Sequence, residues 1–140
     1  MGKFHLVDFA AHYQKGFRNH IVLITEVMDL AKKFDYFGCY ATYFFYSDDV
    51  LTYMTTHAKK SGPTIGGYDG KVWASHFPLD LDHVDLSVSL GAARFFLDLF
   101  LSKWNVDPNG LQVYFSGSKG FHILLDIRLF GRIAPSKSIP

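Results

Sequence analysis

The 140-residue chain has one cysteine, little excess charge and no long apolar run. Cys39 has no partner for an internal disulfide and no second thiol for a zinc site. Asp, Lys or His interrupts every apolar stretch before the roughly 18 residues that a membrane-spanning helix needs. Residues 1–8 precede no apolar segment with a small-residue cleavage site, so no signal peptide is predicted. These absences exclude a disulfide-rich secreted module, and we expect a cytoplasmic protein without a membrane partner.

The composition is that of a folded protein, with 49% hydrophobic and 17% aromatic residues. A chain of this length buries about 70% of the surface that its unfolded form exposes, so one domain over residues 1–140 is predicted. The net charge of +1 gives no general attraction to nucleic acid. Residues 48–100 are acidic overall and residues 101–140 are basic overall, an arrangement that would hold a metal ion next to phosphates. Ordinary solvated surface charge is the alternative.

Hydrophobic periodicity predicts an α+β (mixed α/β) fold. The first part, residues 1–37, is predicted to be helical, with apolar residues at helical spacing over 19–34. Residues 38–130 form the predicted core that carries the motifs, and residues 131–140 form a tail without an evident element. Within the core the pattern predicts strands, helices and a glycine-rich loop in this order: a strand at 39–46, a helix reaching His57, a loop at 59–71, a strand at 72–82, a helix at 83–105, and strands at 111–115 and 121–127. Val84, Val88, Ala92, Phe95 and Leu99 are the predicted core stripe of the long helix.

Asp80-Leu81-Asp82 ends the strand predicted at 72–82. Alternate side chains of a strand share a face, so the two carboxylates would point the same way, about 7 Å apart at Cα. Oxygen ligands at this spacing suit Mg²⁺ or Mn²⁺ and phosphoryl-transfer chemistry. The alternative is that the acids solvate a strand end and cap the next helix.

Ser116-Gly117-Ser118-Lys119-Gly120-Phe121-His122 joins the last two predicted strands. Its hydroxyls, its cation and its glycines, which let a ligand approach the backbone, are typical of phosphate binding. It is not a P-loop, because the GxxxxGK[ST] spacing is missing. A polar hairpin turn with a structural His122 is the alternative.

The order of these motifs resembles the archaeo-eukaryotic primase superfamily, whose catalytic core carries a DxD motif and then an SGxxGxH motif. Here the two are Asp80-Leu81-Asp82 and Ser116 to His122, separated by one long helix and a Pro-Asn-Gly turn. The resemblance covers most of residues 40–127. It implies an RRM-like catalytic sheet with flanking helices, in which the hairpin at 111–127 lies beside the DxD strand and both motifs face one cleft.

Roles for single residues follow from that resemblance. Asp80 and Asp82 would be the catalytic ligands of Mg²⁺ or Mn²⁺ ions that activate a primer 3′-hydroxyl and neutralise the triphosphate. Ser116, Lys119 and His122 would bind that triphosphate with the loop amides. Gly117 and Gly120 would allow its close approach.

The family also uses a third carboxylate on a later strand, and none is evident here. Asp126 lies an even number of residues from His122 and would share its strand face, but it does not occupy the expected later motif. We therefore expect a fragment of a longer primase-polymerase, truncated before the third acidic motif.

Three functions are compatible with the sequence. The first is a template-dependent nucleotidyltransferase, a DNA primase or primase-polymerase that joins NTP or dNTP to the 3′-hydroxyl of a primer strand on template DNA. Its partners would include a longer polypeptide or other replication or repair subunits. The second is a truncated or inactive primase-like module that binds a metal-nucleotide complex or nucleic acid without catalysis. The third is a nucleotide-sugar transferase that uses DxD with Mn²⁺, a mechanism that leaves the SGSKGFH loop without a role.

Overall fold

A computed structural model describes residues 4–11, 17, 19–60, 62–131 and 133–137. It has three α-helices and two antiparallel sheets, which makes the fold α+β as predicted. The chain divides into two compact units, Met1–Ala74 with Ala134–Pro140, and Ser75–Ile133. They are called here the five-stranded unit and the three-stranded unit. The single domain over 1–140 stays a prediction, because compact units within a chain need not fold independently.

The five-stranded unit is built on a central strand that pairs with three others. β1 (Leu6–Ala11) pairs with β2 (His20–Leu23), β3 (Cys39–Ala41) and β4 (Phe44–Tyr46), and β4 pairs with β5 (Val72–Ala74), all antiparallel. Two helices accompany the sheet, α1 (Val27–Lys33) and α2 (Asp49–Thr56). The core consists of two clusters of buried residues: Leu6, Tyr46, Val50, Met54 and Val72 in one, and Phe9, Ala11 and Ala31 in the other.

Strands replace part of the helical region predicted for residues 1–37, of which residues 1–3, 12–16 and 18 lie outside the described part of the chain. The helix predicted over 19–34 is limited to α1, after β2 and a short 3₁₀ turn at Ile24–Glu26. The β-branched residues of β2 pair with β1, with Val22 opposite Val7. Helical spacing of apolar residues therefore gave the wrong element at residues 20–23 and the right one at 27–33, because strand pairing overrode the local pattern in β2. The predicted tail at 131–140 is described only at 131 and 133–137, where Ser136 forms a bridge with Val72.

The three-stranded unit contains both predicted motifs. β6 (His76–Asp82) and β7 (Leu111–Phe115) flank β8 (Gly120–Asp126) in an antiparallel sheet. The predicted hairpin at 111–127 and its place beside the DxD strand are confirmed. The strand predicted at 72–82 is interrupted at Ser75, so β5 and β6 belong to different sheets.

α3 (Leu86–Asp98) covers the apolar face of this sheet and continues as a π-helical turn at Leu99–Lys103. The residues that form this core alternate along the strands, as half-buried sheets require. They are Phe100, Ile123 and Leu125, with Leu79, Leu81, Phe96, Leu97, Val106 and Leu111 packed against them. The opposite face of the same strands carries the polar side chains together with Pro78 and the buried Leu124, and it is called here the polar face.

The core stripe predicted for α3 is wrong by one residue. Ser89, Ala93 and Phe100 are buried, whereas Val88 and Phe95 are exposed and Val84 is 93% exposed. The helix begins at Leu86, after the cap formed by Asp85, so Val84 precedes it. A shift of one residue turns the contact face by about 100°, because a helix has 3.6 residues per turn.

Among the described residues, no helix combines the length and the apolar character that crossing a membrane requires.

Candidate functional site

The ladder between β6 and β8 brings the two sequence motifs together. It sets Asp80 opposite His122 and Asp82 opposite Gly120. His122 Nε2 lies 3.3 Å from Asp80 Oδ1, and Lys119 Nζ lies 3.1 Å from Asp82 Oδ2. Two carboxylates and two basic side chains therefore form one cluster at one end of the sheet.

The two acids of the DxD motif share the polar face, as their spacing predicted. The intervening Leu81 packs into the apolar core on the other side. The Asp80 side chain is 69% exposed and that of Asp82 is 36% exposed, so both reach solvent. Neither carboxylate is buried in the fold, and both are accessible to a ligand.

The helix-capping role that was the alternative for these acids belongs to another residue. Asp85 begins α3, accepting a hydrogen bond from Ser87 N at 2.9 Å and another from Ser87 Oγ at 2.7 Å. Those hydrogen bonds hold the pKa of Asp85 below its usual range. His83 Nδ1 in turn accepts from the Asp85 amide at 3.0 Å. Asp80 and Asp82 are therefore left outside the cap.

Two hydrogen bonds close the loop from Ser116 to Gly120. The Ser116 amide donates to the Gly120 carbonyl oxygen at 2.9 Å, and the Gly120 amide donates to Ser116 Oγ at 3.0 Å. Gly117 has φ +89°, a conformation that L side chains rarely adopt. The loop is thus a defined turn, in which the Ser116 hydroxyl oxygen accepts a hydrogen bond from the Gly120 amide. A serine hydroxyl can also donate its own hydrogen.

Gly120 is required by a contact within the protein. A Cβ at this position would clash with the Asp82 carboxylate and with the Leu81 carbonyl oxygen. The sequence predicted that a triphosphate would approach Gly120 closely. In the structure the Asp82 carboxylate occupies that position, over the β8 backbone. This contact places the Asp82 carboxylate within reach of Lys119.

Ser89 is a functional candidate that sequence reasoning missed. Its side chain is 2% exposed, and its hydroxyl donates to the Lys119 carbonyl oxygen at 2.8 Å. The His83 amide donates to the same oxygen at 3.2 Å. α3 thereby holds the loop at Lys119. A signal for Ser89 is present in the sequence: it is a hydroxyl residue two to four positions before the small residues Gly91, Ala92 and Ala93 in an apolar helix.

Asp126 lies at the other end of β8 from the cluster. It pairs with His76, six residues before Asp82 on β6 and therefore about 20 Å away along the strand. Hydrogen bonds from Arg128, at 2.9 Å from Nε and 2.5 Å from Nη2, hold its carboxylate and lower its pKa to about 2. Asp126 does not approach Asp80 and Asp82, so it cannot complete a metal site with them.

The donor set suits a metal ion that arrives with phosphates. Within the described ranges, no three His, Cys, Asp or Glu side chains form a group that could hold a metal ion. Mg²⁺, however, is usually bound by one or two carboxylates together with substrate phosphates and waters. Asp80 and Asp82 supply such a pair, so they fit a metal that a nucleotide brings with it.

The edge strand β7 adds two side chains to the same face. Tyr114 lies opposite His122, and its hydroxyl donates to Gln112 Oε1 at 2.7 Å. Gln112 Nε2 lies 3.4 Å from His76 Nε2. His76 is thus engaged by Gln112, away from the acids.

The five-stranded unit has a cavity of about 910 Å³ where the sequence predicted no site. The Tyr68 hydroxyl donates to Asp49 Oδ2 at 2.7 Å. Burial and this bond raise the pKa of Tyr68. Although burial opposes it, hydrogen bonds from Ser47 and Tyr68 lower the pKa of Asp49. The lining consists of Phe4, Ser47, Asp48, Asp49, Tyr53, Tyr68, Asp69, Gly70, Lys71, Ala134, Pro135 and Lys137.

Comparison with known proteins gives no further guide. A scan against protein-family models, a search of curated proteins and a search of solved structures each found no match to this chain.

Proposed function

We propose that the polar face of the three-stranded unit binds the triphosphate of a nucleotide together with Mg²⁺ or Mn²⁺. One observation carries the proposal: the β6–β8 register sets Asp80 against His122 and Asp82 beside Lys119. A metal-triphosphate complex presents charges of both signs, and this cluster presents their complements.

The ion pairs of the cluster are weak enough for contacts with a metal-triphosphate complex to replace them. Lys119 and Asp82 are both partly exposed, and exposed pairs contribute only about 0–1 kcal/mol to stability. A metal ion at the carboxylate and a phosphate at the ammonium group would replace the pair at little cost. A metal ion at Asp80 would likewise replace the contact with His122 Nε2, and the imidazole could then donate to a phosphate oxygen.

The activity that we propose is template-dependent nucleotidyl transfer of the DNA primase and primase-polymerase kind. The 3′ oxygen of a primer strand forms a bond to the α-phosphorus of an NTP or dNTP, and pyrophosphate leaves. Asp80 and Asp82 would hold the metal ion, which supplies Lewis-acid stabilisation of the phosphoryl charge when bound. Lys119, Ser116 and the loop amides hold the triphosphate, and His122 binds beside them. The sheet is then part of an RRM-like catalytic sheet.

The partners and the location follow from this activity. The ligands are an NTP or dNTP, template DNA and a primer strand. A further segment or another replication or repair subunit would supply the third carboxylate. The free thiol of Cys39 suits a reducing compartment, so we place the protein in the cytoplasm.

A second candidate is a primase-like module that binds a metal-nucleotide complex without catalysis. The position of Asp126 favours it, because Arg128 holds that carboxylate far along β8 from the DxD acids. Such a module would bind nucleotide as the first candidate does but would not extend a primer.

Calorimetric titration with a nonhydrolysable nucleoside triphosphate, with and without Mn²⁺, tests the binding site. We expect metal-dependent binding by the native protein and its loss in Asp80→Ala and in His122→Ala. Asp98→Ala is the matched control, because Asp98 lies on α3, which covers the opposite face, and accepts from Ser102 Oγ at 2.9 Å. No binding by the native protein, or full affinity in Asp80→Ala, contradicts the proposal. Primer extension on a DNA template then separates the two candidates.

A further inference from the structure

We propose that Tyr114 is the stacking surface for the nucleobase of the bound nucleotide, an inference that rests on the proposed function. Tyr114 and Asp80 are the two cross-strand neighbours of His122, so the three residues form one row across the sheet. The tyrosine ring therefore lies on the same face as the acids, next to the residue assigned to the phosphates.

The Tyr114 ring is exposed and at the same time restrained. The residue is 50% exposed, and its hydroxyl is held by Gln112 at 2.7 Å. Gln112 reaches His76 in turn, at 3.4 Å. A ring fixed in this way loses little conformational freedom when a ligand binds, which is the advantage of a preorganised contact.

Tyr114 carries the carbocyclic aromatic ring that the strands present on this face. Phe115, the next residue of β7, contacts Phe121 with ring centroids 5.5 Å apart on the opposite face. Tyr114 is the only Phe, Tyr or Trp among the residues of β6, β7 and β8 that share the polar face, all of which the structure describes. One π-face is therefore available to a flat ligand beside the charged cluster.

The spacing along β7 suits a ligand with an anionic end and an aromatic end. Ser116, where the loop begins just after β7, follows Tyr114 by two residues, about 7 Å farther along the extended chain. A nucleotide whose phosphates contact the loop and Lys119 can extend its base along the sheet toward Tyr114. Every base has a π-face, so this contact would favour nucleotides in general over any one base.

The test compares the binding of ATP with that of inorganic tripolyphosphate, both with Mn²⁺, by calorimetry. Loss of base stacking in Tyr114→Ala should weaken ATP binding about 5- to 150-fold, since stacking is worth about 1–3 kcal/mol per base. Tripolyphosphate has no base, so its affinity should not change. Tyr114→Phe retains the ring and should keep most of the ATP affinity. Phe115→Ala, on the same strand but on the other face, is the control and should bind both ligands as the native protein does.

The possible outcomes distinguish a failure of the base-stacking role of Tyr114 from a failure of the proposed nucleotide binding. If Tyr114→Ala binds ATP as tightly as the native protein, the stacking assignment fails and the phosphate site stands. If Tyr114→Ala loses ATP and tripolyphosphate equally, the residue has a structural role and the inference is overturned. If the native protein binds neither ligand, the proposed function fails and the inference fails with it.

Discussion

The buried hydroxyl of Ser89 donates a hydrogen bond to the carbonyl oxygen of Lys119 at 2.8 Å, across 30 residues of sequence. This bond ties α3 to the loop that follows β7. The backbone of Lys119 is therefore fixed by the helix, while its side chain remains available to pair with Asp82 or with a phosphate. The orientation of the candidate phosphate-binding loop depends on a residue outside both sequence motifs.

Replacing Ser89 with alanine should lower the free energy of unfolding by about 1 kcal/mol, because the Lys119 carbonyl oxygen loses one of its two donors. The loop would also be held less firmly, so the affinity for nucleotide should fall. Urea unfolding and calorimetric titration measure the two effects. Ser102→Ala removes a hydroxyl that bonds only to Asp98 at the surface, so it should change neither quantity. Equal effects of the two substitutions would contradict the role assigned to Ser89.

Gly120→Ala should destabilise the protein by about 1–3 kcal/mol, since the added methyl group meets Asp82 and the backbone of Leu81. Gly91→Ala is the matched control. Gly91 lies within α3, where an added Cβ meets no atom within 4 Å, so alanine should stabilise the helix by about 0.5–1 kcal/mol. Thermal unfolding of both variants checks the opposite signs. A neutral Gly120→Ala would show that Asp82 does not lie over β8 as described.

Lys119→Ala should reduce the affinity for tripolyphosphate about 10- to 150-fold, because hydrogen bonds to charged groups are worth about 1.5–3 kcal/mol. Its stability should change by less than about 1 kcal/mol, since the pair with Asp82 is exposed. Lys103→Ala removes the same charge from the π-helical turn after α3 and should bind as the native protein does. An unchanged affinity in Lys119→Ala would exclude this side chain from phosphate binding.

The ionised carboxylate of Asp126 should contribute to the free energy of unfolding in a way that depends on pH. Hydrogen bonds from Arg128 lower its pKa to about 2, below the ordinary value of about 3.9. The stabilisation from its ionised form is then fully present above about pH 4 and is lost as the pH falls through 2. Asp126→Asn lacks this component.

Urea midpoints of the native protein and Asp126→Asn, measured between pH 2 and pH 6, test this dependence. The difference between them should be largest above pH 4 and should shrink as the pH approaches 2. A constant difference for Asp126→Asn would mean that the pair with Arg128 does not stabilise the fold.

Several elements could be predicted from local sequence because their causes are local. The turn at residues 107–110 depends on its Asp107 cap and its proline, and the hairpin at 111–127 depends on strand alternation. β2 could not be predicted in this way. Its apolar residues also fit helical spacing, and only the pairing with β1 decided the element.

The parts of the candidate site divide in the same way. The shared face of Asp80 and Asp82 follows from the two-residue period of a strand, whatever the strand pairs with. The register that sets Asp80 against His122 joins residues about 40 apart in the chain, and contacts of that separation are fixed by packing of the whole sheet.

The sequence by itself determined the chemistry of the site: two carboxylates on one strand face, and a glycine-rich loop with a lysine and a histidine. Only the tertiary structure decided which groups meet. It turned α3 by one residue so that Ser89 is buried against Lys119, and it paired Asp126 with Arg128 away from the DxD acids. Residue types and short-range periodicity are encoded locally, whereas strand register and the buried face of a helix depend on the elements that pack against them.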